Sequence, residues 1–259
     1  MSVEKLTSVL NSLKLNSKNV KEEKDFIASI ITHVQAERKV VAKVLPTLIE
    51  MATQTGSDPS VEASVTALNA ITEIANKCMQ VAEPYLLPVL DQLLTCASNK
   101  QNKIRAAAEE AVNAITNGMT ADALQEVLPA LFAASQVGVA WQTRALALNV
   151  LAALGEHAPE QMGFALPQVV PQVTLSMSEP KKDVSQAAFK AMTNACNVIG
   201  NRDIEHMTPK IVRSISNPEE VPEIMHALAG VTFVQSVQSP ALAMVVPLLI
   251  RGLRSKVTA

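Results

Sequence analysis

Aromatic residues are nearly missing from this chain: Phe, Trp and Tyr together make up 3% of 259 residues. A β-sandwich draws its core from aromatic and β-branched side chains, whereas Ala, Val, Leu, Ile and Met without rings suit closely packed helix pairs. Glycine is scarce as well, at 8 residues, which leaves little for hairpin turns. No G-x-x-x-x-G-K-[ST] run is present to cradle a phosphate. The cysteines Cys78, Cys96 and Cys196 form no CxxC pair and lie among apolar neighbours, so they read as buried free thiols in a reducing compartment. The histidines His33, His157, His206 and His226 are scattered, without HExxH or zinc-ligand spacing. No nucleophile elbow or catalytic triad follows from residue order. Glu219, Glu220 and Glu223 read as favouring a helix N-terminus through its dipole. No catalytic, cofactor-binding or metal-ligating residue is assigned, and the chain is read as no enzyme.

Charge-free stretches exist, but they are interrupted. Residues 224–250 hold no Asp, Glu, Lys or Arg, which is long enough to span a bilayer. The polar turn Gln235-Ser236-Val237-Gln238-Ser239-Pro240 breaks the run, so two helices joined by a loop are expected. Residues 1–25 are rich in Lys, Asn and Glu and show no secretory signal. The expectation is a soluble, cytoplasmic protein.

What the chain does have is regularly placed proline. Pro46, Pro88, Pro129, Pro171, Pro209 and Pro247 follow one another at steps of 42, 41, 42, 38 and 38 residues (88 − 46, 129 − 88, 171 − 129, 209 − 171, 247 − 209). Each sits in a similar apolar phrase, as in LPTLIEM, LLPVLDQLL, VLPALFAA and VVPLLIRGL. A period of about 40 residues with two helices per unit is the mark of HEAT-type solenoids. The fold class is therefore all-α, a HEAT-repeat α-solenoid, expected as a right-handed superhelix of antiparallel helix pairs. Such solenoids offer long surfaces to large partners.

The units are read as follows. Residues 1–42 form about two helices capping the solenoid. Helix pairs follow at 43–54 with 59–77, 83–98 with 101–117, 121–136 with 140–156, 160–178 with 181–199, and 204–216 with 220–237. A last first-helix at about 241–255 has no second helix to cover Leu242, Val245, Val246, Leu249 and Leu253. The whole 1–259 stretch is taken as one HEAT domain and as an N-terminal piece of a longer protein. The second helices carry a broad stripe of period near 3.6, as at Val184, Ala187, Ala188, Ala191 and Met192. Prolines within first helices are expected to kink them. Phe189 and Phe233 read as core, and Trp141 as packing between repeats.

Charge is uneven along the chain. Residues 1–43 hold 8 Lys/Arg against 5 Asp/Glu, residues 44–179 hold 5 against 13, and residues 180–259 hold 9 against 6, giving +3, −8 and +3. Lys100, Lys103 and Arg105 stand at the turn into one second helix, and Lys181 and Lys182 at the equivalent turn two units on. Arg202, Lys210 and Arg213 come in the sixth unit, and Arg251, Arg254 and Lys256 in the seventh. Equivalent solenoid loops align along an edge, so these cations are candidates for a ridge that contacts phosphates. The plain alternative is solvated charge, with an Arg bonded to the preceding turn.

From Asn201 onward the wording is more specific than a generic unit. The phrases are Asn201-Arg202-Asp203-Ile204-Glu205, Asn217-Pro218-Glu219-Glu220-Val221-Pro222-Glu223, Val231-Thr232-Phe233-Val234 and Met244-Val245-Val246-Pro247-Leu248-Leu249-Ile250-Arg251-Gly252-Leu253. With Trp141-Gln142 and Lys181-Lys182-Asp183-Val184, they resemble the N-terminal HEAT domain of fungal-type translation elongation factor three. The resemblance runs from about residue 80 and is weaker before it. It implies a docking arm of a ribosome-bound ATPase that helps clear deacylated tRNA from the exit site. ATP and Mg would belong to cassettes absent from this chain. The implied partners are the ribosome, through rRNA and ribosomal proteins, and other translation elongation factors, with neither membrane nor DNA. The resemblance favours Lys181, Lys182, Arg202, Lys210 and Arg213 as rRNA contacts, with Lys100 and Lys103 second. Two rival readings remain at this stage: a HEAT segment of the activator of the amino-acid-starvation kinase, and a generic protein-binding scaffold.

Overall fold

The computed structural model describes residues 20–53, 58–235 and 238–254, and among these every regular element is a helix. Cα packing divides the chain into two compact units, Met1–Thr120 and Ala121–Ala259. Each is built from helix pairs whose apolar stripes face one another.

In the first unit α1 (Val20–Ala36) and α2 (Lys39–Thr53) pack on α3 (Asp58–Leu86), and α4 (Leu90–Cys96) and α5 (Asn102–Gly118) continue the stack. The core is aliphatic. Ile30, Leu48, Ile71, Ile74, Leu90 and Leu94 are fully enclosed, and each such side chain contributes about 1.5–3 kcal/mol over its exposed state. The expected break between 77 and 83 is not a loop. Helix α3 runs through it and bends at one residue, Cys78 (φ −131°, ψ 16°). Residues 78–82, CMQVA, hold neither Gly nor Pro, and two helical segments meet at the non-helical Cys78 without an intervening loop. The interruption comes later, where Pro88 sits in a 3₁₀ turn, Leu87–Val89, ahead of α4. Pro46 stays inside the continuous α2. The capping segment before residue 20 and the Thr55-Gly56-Ser57 turn lie outside the described residues.

The second unit holds α6 (Leu124–Ala134), α7 (Trp141–His157), α8 (Pro159–Met177), α9 (Lys182–Cys196), α10 (Thr208–Ser216), α11 (Val221–Ala229) and α12 (Ser239–Arg254). The second helices α7 and α9 lie against each other, and α8 packs on α9 and α12. The approach of α7 to α9 is close enough that a Cβ on Gly155 would stand 3.1 Å from the Asn194 carbonyl carbon. Asn194 closes the same seam: its Nδ2 donates to Ala152 O at 3.0 Å and to Glu156 Oε1 at 2.7 Å. Pro129, Pro171 and Pro247 lie inside helices, while Pro209 opens α10. Cys78, Cys96 and Cys196 are buried and free, and burial pushes the Cys196 thiol up to about 12.

Two expectations need correction here. The second helix of the sixth unit is short, ending at Ala229 rather than 237. Gly230 and the β-branched pair Val231-Thr232 follow it, and Asp203 then captures the chain. Asp203 Oδ2 accepts from the backbone N–H of Val234 at 2.9 Å and of Gln235 at 2.8 Å, while Gln235 Oε1 accepts from the N–H of Arg202 at 3.1 Å. An acceptor from outside the helix thus satisfies donors that helix continuation would have used. Residues 236–237 lie outside the description. Phe189 and Phe233 are also not core, being 41% and 42% exposed. On α12, Ala241, Met244 and Leu248 are buried while Leu242, Val246, Leu249, Ile250 and Leu253 are exposed. No helix among the described residues is long and apolar enough to cross a membrane.

Candidate nucleic-acid interface

The turns that open the second helices share one plan. Their N-cap residues are Gln101, Ala140 and Lys181. Three residues beyond each cap a side chain enters the core, namely Ile104, Thr143 and Val184. The next residue is Arg105, Arg144 or Ser185.

Arg105 folds back on its own turn. Its Nη1 donates to Asn99 O at 2.9 Å and Lys100 O at 3.0 Å, and its Nη2 to Asn102 Oδ1 at 3.0 Å. Arg144 is buried, donates from Nε to Ser135 O at 3.3 Å, and brings Nη2 to 2.7 Å from Glu179 Oε1 in the following turn. The Arg144 guanidinium beside it holds the Glu179 carboxyl below its usual value against the opposing effect of desolvation. Arg105 thus bonds to the turn before its helix, while Arg144 joins the turn before its helix to the next one.

The lysines divide by their partners. Lys103 Nζ pairs with Glu62 Oε1 at 3.0 Å, while Lys100 is exposed and forms no ion pair among the described residues. Lys181 sets its ammonium 4.2 Å from the centre of the Trp141 ring and 2.9 Å from Asp183 Oδ2. That hydrogen bond lowers the Asp183 carboxyl from its usual value. Trp141 therefore does link adjacent repeats, yet 42% of it is exposed. Lys182, next in the chain, is exposed and has no ion pair among the described residues. Its helix α9 also exposes Gln186, Phe189 and Lys190, a stripe at helical spacing opposite the buried one. Lys190 and Phe189 share this exposed face with Lys182 and are not among the candidates read from the sequence. Their signal was the same periodicity, read on its other face.

The cations of the second unit do not all share one edge. Lys181 and Lys182 stand at the N-terminal end of α9 and Arg202 follows its C-terminal end; 15 helical residues span about 22 Å. Lys210 and Arg213 are exposed on α10, three residues apart. The side chains of Arg251 and Arg254, and all of Lys256, lie outside the described residues. The sequence holds no phosphate-cradling run of the G-x-x-x-x-G-K-[ST] kind, and no acidic, His or Cys cluster able to hold a metal occurs among the described residues.

Helix pairs repeating at the proline period, joined through aliphatic faces and short turns, define a HEAT-repeat α-solenoid. A solved structure from work on microtubule plus end tracking by XMAP215, CLIP-170 and EB1 has the same fold. It aligns with a TM-score of 0.60 at 14% identity over 87% of this chain and 91% of that one. The family model described as EF3 N-terminal HEAT repeat matches residues 20–192, and one described as Elongation factor 3/GNC1 HEAT repeat matches 219–259. The chain belongs to the elongation factor 3 HEAT-repeat family. Similar proteins include Elongation factor 3 of Phytophthora infestans, 40% identical over 79% of this chain and 20% of its own length. Elongation factor 3 of Gonapodya prolifera is 32% identical over 98% of this chain and 23% of its own length, and Elongation factor 3B of Saccharomyces cerevisiae 33% over 77% and 19%. The chain thus spans about a fifth of these relatives. The family match starts at residue 20, well ahead of the stretch where the resemblance is legible by eye.

Proposed function

We propose that this chain is the ribosome-docking arm of a translation elongation factor, and that the turn at Lys181-Lys182 is its principal contact with rRNA phosphates. The family supports a HEAT region of a translation factor. The observation that carries the contact is the pairing of a braced cation with a free one: Lys181 held between Trp141 and Asp183, and Lys182 exposed beside it. A braced ammonium gives up less side-chain entropy on meeting a phosphate, and each phosphate neutralised releases counterions. Lys190 and the exposed Phe189 extend the same helix face. Arg202, Lys210 and Arg213 form a separate contact in this reading, and Lys100 and Lys103 a third in the first unit.

Release of deacylated tRNA, driven by ATP and Mg in cassettes outside these 259 residues, is the activity this arm would serve in the cytoplasm. Ribosomal proteins and other elongation factors are further partners on this reading. Co-sedimentation with purified eukaryotic ribosomes over a salt series tests it. Binding at low salt that falls steeply as salt rises is the expected result. Binding indifferent to salt would replace docking on rRNA with a protein-only scaffold.

A further inference from the structure

Among the described residues of the first helices before α12, only α8 exposes large apolar side chains. Counting from the repeat proline, the positions seven before and four after it are Lys39 and Glu50 about Pro46, and Asp122 and Ala133 about Pro129. About Pro171 they are Phe164 and Leu175. Both are well exposed, at 71% and 63%, and Pro167 and Pro171 are exposed between them. The four residues recur at steps of 3, 4 and 4 along α8, one stripe about 16 Å long. The turn carrying the exposed Val137 is tied alongside by Gln136 Nε2 donating to Gln172 Oε1 at 3.0 Å. At the Phe164 end the stripe opens into a groove of about 540 Å³ lined by Glu160, Phe164, Val198, Gln235 and Pro240.

Carboxylates gather at one end of the stripe, while the nearest described cation beyond the groove is Arg202, whose backbone N–H donates to Gln235 Oε1 at 3.1 Å. Between Arg105 and Lys181 the sequence holds a single Lys or Arg, Arg144, and that side chain is buried against Glu179. Asp122, Glu126 and Glu160 are exposed at the N-terminal ends of α6 and α8, where Gln161 Nε2 donates to Asp122 Oδ1 at 3.0 Å. An apolar ridge at helical spacing with carboxylates at one end is complementary to a helix with an apolar stripe and lysines or arginines.

We propose that the α8 face is a docking site for a basic amphipathic helix of a partner protein, with Phe164 and Leu175 as the anchors and Asp122, Glu126 and Glu160 facing its cations. This site is distinct from the Lys181-Lys182 turn and does not depend on the ribosome reading.

The test is an anisotropy titration of the chain with a fluorescein-labelled amphipathic peptide of leucine and lysine, about 14 residues or four turns long. A matched peptide with glutamate for every lysine serves as the control. The lysine peptide is expected to bind and the glutamate peptide to bind at least about tenfold more weakly. Phe164→Glu with Leu175→Glu should weaken the lysine peptide at least about tenfold, as removal of central anchors does. Both side chains are exposed, so the circular dichroism midpoint should hold. Were it to fall, Phe164→Ser with Leu175→Ser gives the same comparison without added charge. Lys181→Glu with Lys182→Glu should leave the peptide affinity no weaker. An affinity unchanged by loss of Phe164 and Leu175, equal binding of the two peptides, or no binding of the lysine peptide overturns the proposal.

Discussion

The turn at residues 97–105 and the turn at residues 178–185 occupy the same place in their repeats and carry similar charge, yet they are wired differently. In the first, Arg105 ties up the turn's own carbonyls and Lys103 pairs with Glu62, which leaves Lys100 as the unpaired cation. In the second, Ser185 takes the arginine's place, and its hydroxyl donates to Lys182 O at 3.2 Å. The arginine of the preceding repeat, Arg144, reaches across to Glu179 instead. Lys181 is then held by Trp141, and Lys182 stands free of ion pairs among the described residues. The lesson is that a lysine or arginine in a repeat turn has first to be followed to its partner. Charge available to a ligand is what remains.

The largest difference between the two turns should appear on removing their arginines. Arg144→Ala strips a buried cation from Glu179 and should lower stability by about 3 kcal/mol. Arg105→Ala loses exposed bonds to carbonyls that water can replace, at about 1 kcal/mol. Urea unfolding of both variants measures the gap, and equal losses would mean the turns are alike.

The same pair has a pH signature. The Glu179 carboxyl is lowered from 4.5 in the folded chain, so its contribution is complete above the unfolded value and is lost as pH falls through the folded one. The deficit of Arg144→Ala relative to the parent should therefore be greatest near neutral pH and shrink below 4.5. A deficit that stays constant from neutral to acid pH would show that lost packing, not the ion pair, sets it.

Smaller effects separate the lysines. Trp141→Ala removes the ring under Lys181, an exposed cation–π contact worth about 0.5–1 kcal/mol. It should weaken ribosome binding only a few-fold while leaving the salt slope nearly unchanged, since no charge is lost. Smallest is the contrast between single alanines: Lys182→Ala should lower the salt slope by about 1, as loss of one phosphate contact does. Lys103→Ala, whose cation already has a carboxylate, should lower it by less.

Much of this fold is legible in the sequence because its signals are local and repeated. The proline period, the apolar stripe at Val184, Ala187, Ala188, Ala191 and Met192, and the turn before Trp141 each state a helix or its end within a few residues. The departures come from tertiary partners that local patterns do not carry. The helix after Glu220 reads as long because residues 221–234 contain many apolar side chains, yet Asp203, about thirty residues away in sequence, takes the N–H groups of Val234 and Gln235. Two of the phrases that carry the family resemblance, Asn201–Glu205 and Val231–Val234, therefore meet in space. Phe189 reads as core by residue type, although its position beside Lys190 and between buried Ala188 and Ala191 puts it at the margin of the stripe. The candidate lysines were legible as charge. Which of them are engaged was not, because Glu62 and Trp141, the partners of Lys103 and Lys181, come from neighbouring repeats.

The measurement closest to the central claim is the salt dependence of ribosome co-sedimentation for the parent chain and for Lys181→Glu with Lys182→Glu, taken over the same range. Loss of two phosphate contacts should reduce the magnitude of the slope of log affinity against log salt by about 1.4–1.8 and weaken binding most at low salt. Identical slopes and affinities, with the variant folded by circular dichroism, would contradict the assignment of this turn to rRNA.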